Sequence, residues 1–119
     1  MATMSTPTDA LAAFVAGLTY DGIPAAVRER VKDLLLDAIA SGLAGTSSDE
    51  VPQIERLAEA LAGGVGASTV IAGQPRSAAG AALVNGYLIT AATVCDVHRP
   101  TLCHVTPEVV PPALAVAEH

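Results

Sequence analysis

The chain has 119 residues, of which 51% are hydrophobic and 15% charged, so it is not a disordered tail and holds one domain at most. Twelve acids against six bases give a formal charge of −6, without the basic stripe that nucleic-acid binding or a charged membrane surface requires. Aromatic residues make up only 3%, so a core built from this chain uses small side chains and suits closely packed helices.

Residues 1–8 are rich in Ser, Thr and Pro and read as a flexible lead-in to a single helical domain over 9–119. Thr8 or Asp9 is positioned to cap a first helix through about Leu18, with Leu11, Phe14, Val15 and Leu18 on one face. Thr19 to Gly22 reads as a turn, and Pro24 suits the start of the next helix. That second helix, over about 24–44, has the clearest pattern, with Val27, Val31, Leu34, Leu35, Ala38, Ile39 and Gly42 on one stripe. Its second half is apolar nearly all round, which predicts burial.

A third helix is expected over about 50–62, stopped by the Gly63-Gly64-Val65-Gly66 run. Residues 68–72 form a short extended piece closed by Gly73-Gln74-Pro75. Ser77 then caps an Ala-rich helix from Ala78 to about Cys95, and Glu108 to His119 forms a last helix with Pro111 and Pro112 in its first turns. The expected fold class is therefore all-α, a helical bundle with one short extended segment near 68–72. No run has the length and apolarity of a membrane span, and the N-terminus lacks a signal-peptide pattern. Two cysteines make no disulfide framework, so a cytoplasmic location is expected.

Most of the polar chemistry lies between Asp96 and Pro107. Cys95, His98, Cys103 and His104 have the ligand types of a zinc site, but adjacent Cys103 and His104 would point apart, and no metal is expected. Asp96 and His104 have a bland reading as a helix terminator and a loop histidine, and His98 and Arg99 as a solvated loop. Asn85-Gly86 inside the Ala-rich helix reads as a close-packing device.

Five segments in one order resemble the MmgE/PrpD family, which includes 2-methylcitrate dehydratase, cis-aconitate decarboxylase and iminodisuccinate epimerase. They are Leu35 to Gly45, Ser68 to Gly73, Ala78 to Gly86, Asp96 to His104 and Val110 to Glu118. The resemblance implies the N-terminal part of that family's helical domain, with Asp96-Val97-His98-Arg99-Pro100-Thr101-Leu102-Cys103-His104 as its active-site loop. It implies a lyase or isomerase acting on a small polycarboxylate, by proton abstraction next to a carboxylate and loss of water or carbon dioxide. Asp96 and His104 would be catalytic, and His98, Arg99 and Thr101 would bind substrate carboxylates, the Arg as a bidentate fork. No cofactor is implied.

Departures from the family pattern bear on this. Thr90, Thr93 and Cys95 stand where the family usually has its Asn-Gly-linked His and acidic residues, and Val105 stands where a Pro usually follows the loop His. The family's catalytic Lys and further His residues fall outside the resemblance. The expected partners are accordingly a second copy, in a homodimer or larger homo-oligomer, or a chain carrying the rest of the fold. Two alternatives stay open: a non-catalytic helical oligomerisation module, and a small stand-alone enzyme with its pocket rebuilt between subunits.

Overall fold

The computed structural model describes residues 6–64 and 66–118. Among them lie five helices: α1 (Pro7–Gly17), α2 (Ala25–Gly45), α3 (Val51–Ala62), α4 (Ala78–Ala91) and α5 (Thr106–Ala117). No strand forms among the described residues, and the expected extended segment is held by an isolated antiparallel bridge between Ser68 and Arg76. The all-α expectation holds. Residues 1–5 of the predicted lead-in and His119 of the predicted last helix lie outside the described residues. By internal contacts the chain forms two compact units, one up to Val31 and one from Lys32 onward.

In the first unit the helix starts earlier than the sequence suggests, inside the expected lead-in. Thr6 caps α1: its hydroxyl accepts from the Asp9 amide at 3.2 Å, and the Asp9 carboxylate accepts from the Thr6 amide at 2.8 Å. This reciprocal box satisfies two donors that an uncapped helix leaves open, and Pro7 follows where a missing N–H costs nothing. After α1 the turn closes through the Gly22 amide on the Thr19 carbonyl at 3.0 Å. The Arg28 guanidinium then donates to the carbonyls of Tyr20 and Ile23 and lies 4.9 Å from the Tyr20 ring centre. No α1 residue is buried within the chain.

In the second unit α4 is the central element, packed against α3 and α5. Its apolar residues surround the helix, and Gly80, Ala81, Val84, Asn85, Leu88 and Ile89 are buried. Ala58, Val70, Ala81, Val84 and Leu88 form the core, with Ile54, Ile71, Leu83 and Tyr87 packed on it. The buried residues of α2 are the small ones, Ala38, Ser41, Gly42 and Gly45. A Cβ on Gly45 would lie 1.9 Å from the Leu88 carbonyl oxygen, so glycine there is what permits the close approach. This corrects the expectation that α2 is buried all round in its second half: Leu36 is 70% exposed and Leu43 53%. The small-residue face makes the contact, which leaves Leu36 and Leu43 outside while Leu34 and Leu35 are half-buried.

Two further boundaries differ from expectation. The Ala-rich helix ends at Ala91 instead of about Cys95, and Thr93 just beyond it takes a φ of 54°, a left-handed conformation that an L-residue continuing the helix cannot hold. The last helix begins at Thr106 instead of Glu108, which moves Pro111 and Pro112 into its second turn. Pro111 lacks the N–H that would bond the Pro107 carbonyl. That carbonyl lies against Gly86 of α4, where an added Cβ would come within 3.2 Å of it.

Asn85 is the buried polar residue that ties the extended segment to α4. Its side-chain oxygen accepts from the Ile71 amide at 2.8 Å, and its amide nitrogen donates to the Thr69 carbonyl at 2.9 Å. It thereby offers residues 69–71 the donor and acceptor that a neighbouring strand would supply.

Candidate functional site

The chain between α4 and α5 is organised by Asp96. One oxygen of its carboxylate accepts from the backbone amide of Thr106 at 3.0 Å and from the Thr106 hydroxyl. Thr106 is the first residue of α5 and is buried, so a carboxylate ten residues upstream satisfies a helix-start donor that no adjacent cap serves. This is why α5 begins at Thr106.

The backbone of the same residue orients His104. The Nδ1 atom of His104 lies 3.0 Å from the Asp96 carbonyl oxygen and 3.4 Å from the Cys95 sulfur. A carbonyl oxygen only accepts, so Nδ1 carries the hydrogen, and in the neutral ring Nε2 keeps the lone pair. Burial pushes the Cys95 thiol above its usual range, and the negative charges of Asp96 and Asp37 push the same way. Cys95 therefore meets His104 as a thiol and not as a nucleophilic thiolate.

Residues 98–103 form a tight turn of their own. The His98 amide donates to the Cys103 carbonyl at 2.8 Å, and the Thr101 amide donates to the His98 carbonyl at 3.1 Å. The side chains of His98 and Thr101 meet at 2.8 Å. Leu102 closes the turn with a φ of 54°. His98, Arg99 and Thr101 are all exposed.

His104 lines a cleft of about 450 Å³ together with Ile54, Leu83, Tyr87, Thr90 and Glu108, with Gly86 and Pro107 at the α4–α5 contact. Of the five residues that the sequence singles out, His104 lines this cleft directly. Asp96 touches His104 through its carbonyl, and His98, Arg99 and Thr101 are not among the lining residues. The sequence does not mark Tyr87 or Glu108 as site residues, and it marks Thr90 only as a departure from the family pattern. The spacing of Leu83, Tyr87 and Thr90 puts them on one face of α4, which was the available signal. The Tyr87 hydroxyl is bonded to Ser48 at 2.6 Å and Glu50 at 3.2 Å. Ser48 also donates to Glu50 at 2.5 Å, and this bond first, then the backbone amide and Tyr87, holds the Glu50 carboxyl below its usual range.

Among the described residues no three His, Cys, Asp or Glu side chains gather as a metal site requires. No described helix is long and apolar enough to cross a membrane. No curated protein and no solved structure matches the chain. The family model of the MmgE/PrpD N-terminal domain matches residues 9–119, an almost complete span that contains the Asp96–His104 loop and the helices on either side of it. The chain belongs to the MmgE/PrpD family, through that family's N-terminal domain.

Proposed function

We propose that this chain is the N-terminal part of an MmgE/PrpD-type lyase or isomerase acting in the cytoplasm on a small polycarboxylate. In a dehydration, His104 takes a proton from the carbon next to a carboxylate, the C–H electron pair forms the double bond, and the hydroxyl on the adjacent carbon leaves as water with the proton returned by the imidazolium. In a decarboxylation, the electron pair released with carbon dioxide is instead taken up by a proton delivered to the carbon chain. The observation that supports this reading is the bond from His104 Nδ1 to the Asp96 carbonyl, which leaves Nε2 as the basic atom of a residue lining a cleft. Asp96 acts as a positioning residue, holding the imidazole with its backbone and the start of α5 with its carboxylate. Arg99, with His98 and Thr101 on the same turn, supplies the contacts for substrate carboxylates. A second copy, or a partner chain with the rest of the fold, covers the exposed apolar side chains and completes the site.

A non-catalytic helical oligomerisation module is the second reading. It is favoured by one specific observation: the Asp96 carboxylate is engaged by Thr106, while Cys95 stands where the family pattern has an acid.

Titration with 2-methylcitrate and cis-aconitate, followed by the thermal midpoint, separates the two. A ligand at a hundredfold excess over its Kd stabilises the native state by about 2.7 kcal/mol, a shift of several degrees. The proposal expects a saturable rise that His104→Ala abolishes while the ligand-free midpoint stays within about 2 °C, since His104 is exposed. No rise with either compound, or a rise that survives His104→Ala, contradicts it.

A further inference from the structure

The polar groups around the His104 cleft have their own hydrogens already committed. His104 spends Nδ1–H on the Asp96 carbonyl, so its neutral ring offers the Nε2 lone pair. Thr90 donates its hydroxyl hydrogen to backbone, at 2.7 Å from the Gly86 carbonyl and 3.2 Å from that of Tyr87, which leaves its oxygen as an acceptor. Tyr87 spends its single hydroxyl hydrogen within the Ser48–Glu50 pair, where Ser48 donates to the Glu50 carboxylate. Glu108 lines the cleft with a carboxylate and brings no donor. No Lys or Arg lines it, and the chain as a whole carries a formal charge of −6.

We infer that this cleft binds a ligand through a hydrogen-bond donor, above all a primary ammonium group on a short apolar body. An ammonium brings three donors to a site whose side chains present acceptors, and its charge pairs with Glu108. The Tyr87 ring adds an aromatic wall of the kind that attracts cations, and Ile54, Leu83 and Pro107 accommodate the apolar body. On a polycarboxylate substrate, the groups this cleft would take are an ammonium or hydroxyl carried on the carbon chain and not the carboxylates. The binding preference stands apart from the proposed reaction, because a simple amine without any carboxylate tests it alone.

The experiment is a titration of the full chain with n-butylammonium, n-butanol and n-butyrate at pH 8, followed by backbone amide shifts in NMR. The expected result is saturating shifts at Tyr87, Thr90 and Glu108 with n-butylammonium, weaker ones with n-butanol and none with n-butyrate. Glu108→Gln, at an exposed position, should weaken n-butylammonium binding tenfold or more without changing the amide spectrum elsewhere. n-Butyrate binding as tightly as n-butylammonium, no saturating shift with n-butylammonium, or undiminished n-butylammonium binding by Glu108→Gln would each overturn the inference.

Discussion

Cys95 and Glu50 show how single groups respond to what surrounds them. Because burial and two nearby carboxylates push the Cys95 thiol upward, it should alkylate slowly at neutral pH. Iodoacetamide labelling with mass spectrometry is the check: Cys95 is expected to lag behind exposed Cys103 at pH 7.5 and to catch up only in more alkaline buffer. Equal rates at pH 7.5 would contradict this. Glu50 runs the other way. Its carboxyl is held low in the folded state, so the stability it contributes is present above the ordinary glutamate range and is lost as pH falls through the lowered value. Ser48→Ala removes the main cause and should move the Glu50 carboxyl titration, followed by carbon NMR, upward toward the ordinary glutamate value. At this scale the sequence and the family resemblance led to Asp96 and His104, since loop chemistry and motif coincide there. They did not lead to Tyr87 or Glu108, because a cleft along α4 and α5 depends on contacts that local spacing does not encode.

The elements themselves were largely readable, because capping residues and 3.6-residue periodicity are local signals. What escaped were features set from a distance. The start of α5 depends on Asp96, and the ordering of residues 69–71 depends on Asn85 of α4. Asn85 reads from sequence as a packing device beside Gly86, yet in the fold it is a buried amide with both ends used. Asn85→Ala leaves the Ile71 N–H and the Thr69 carbonyl without these partners, which should cost about 2 kcal/mol in a denaturant melt. Gly45→Ala is expected to cost about 1–3 kcal/mol, because its methyl meets the Leu88 carbonyl and backbone must move. A melt unchanged by either substitution would contradict the corresponding contact.

At the scale of the whole molecule, the apolar surface stands out. In one unit Leu11, Phe14 and Val15 of α1, with Leu18 just after it, remain exposed, Phe14 by 62%. In the other, Leu36 and Leu43 of α2 do the same. Where no helix among the described residues is long and apolar enough to cross a membrane, exposed apolar surface marks interaction surfaces. Light scattering at micromolar concentration is expected to return at least twice the 11.9 kDa chain mass, and a stable monomer would contradict that expectation.

The reading of this protein as part of an enzyme turns on one ring, His104, with its Nδ1–H on the Asp96 carbonyl and Nε2 left basic. Nitrogen-15 NMR of the neutral histidine side chains measures that directly. The Nδ1–H tautomer is the expected result for His104. A predominant Nε2–H tautomer would contradict it, because the cleft would then face an N–H donor where the proposed proton abstraction needs a base.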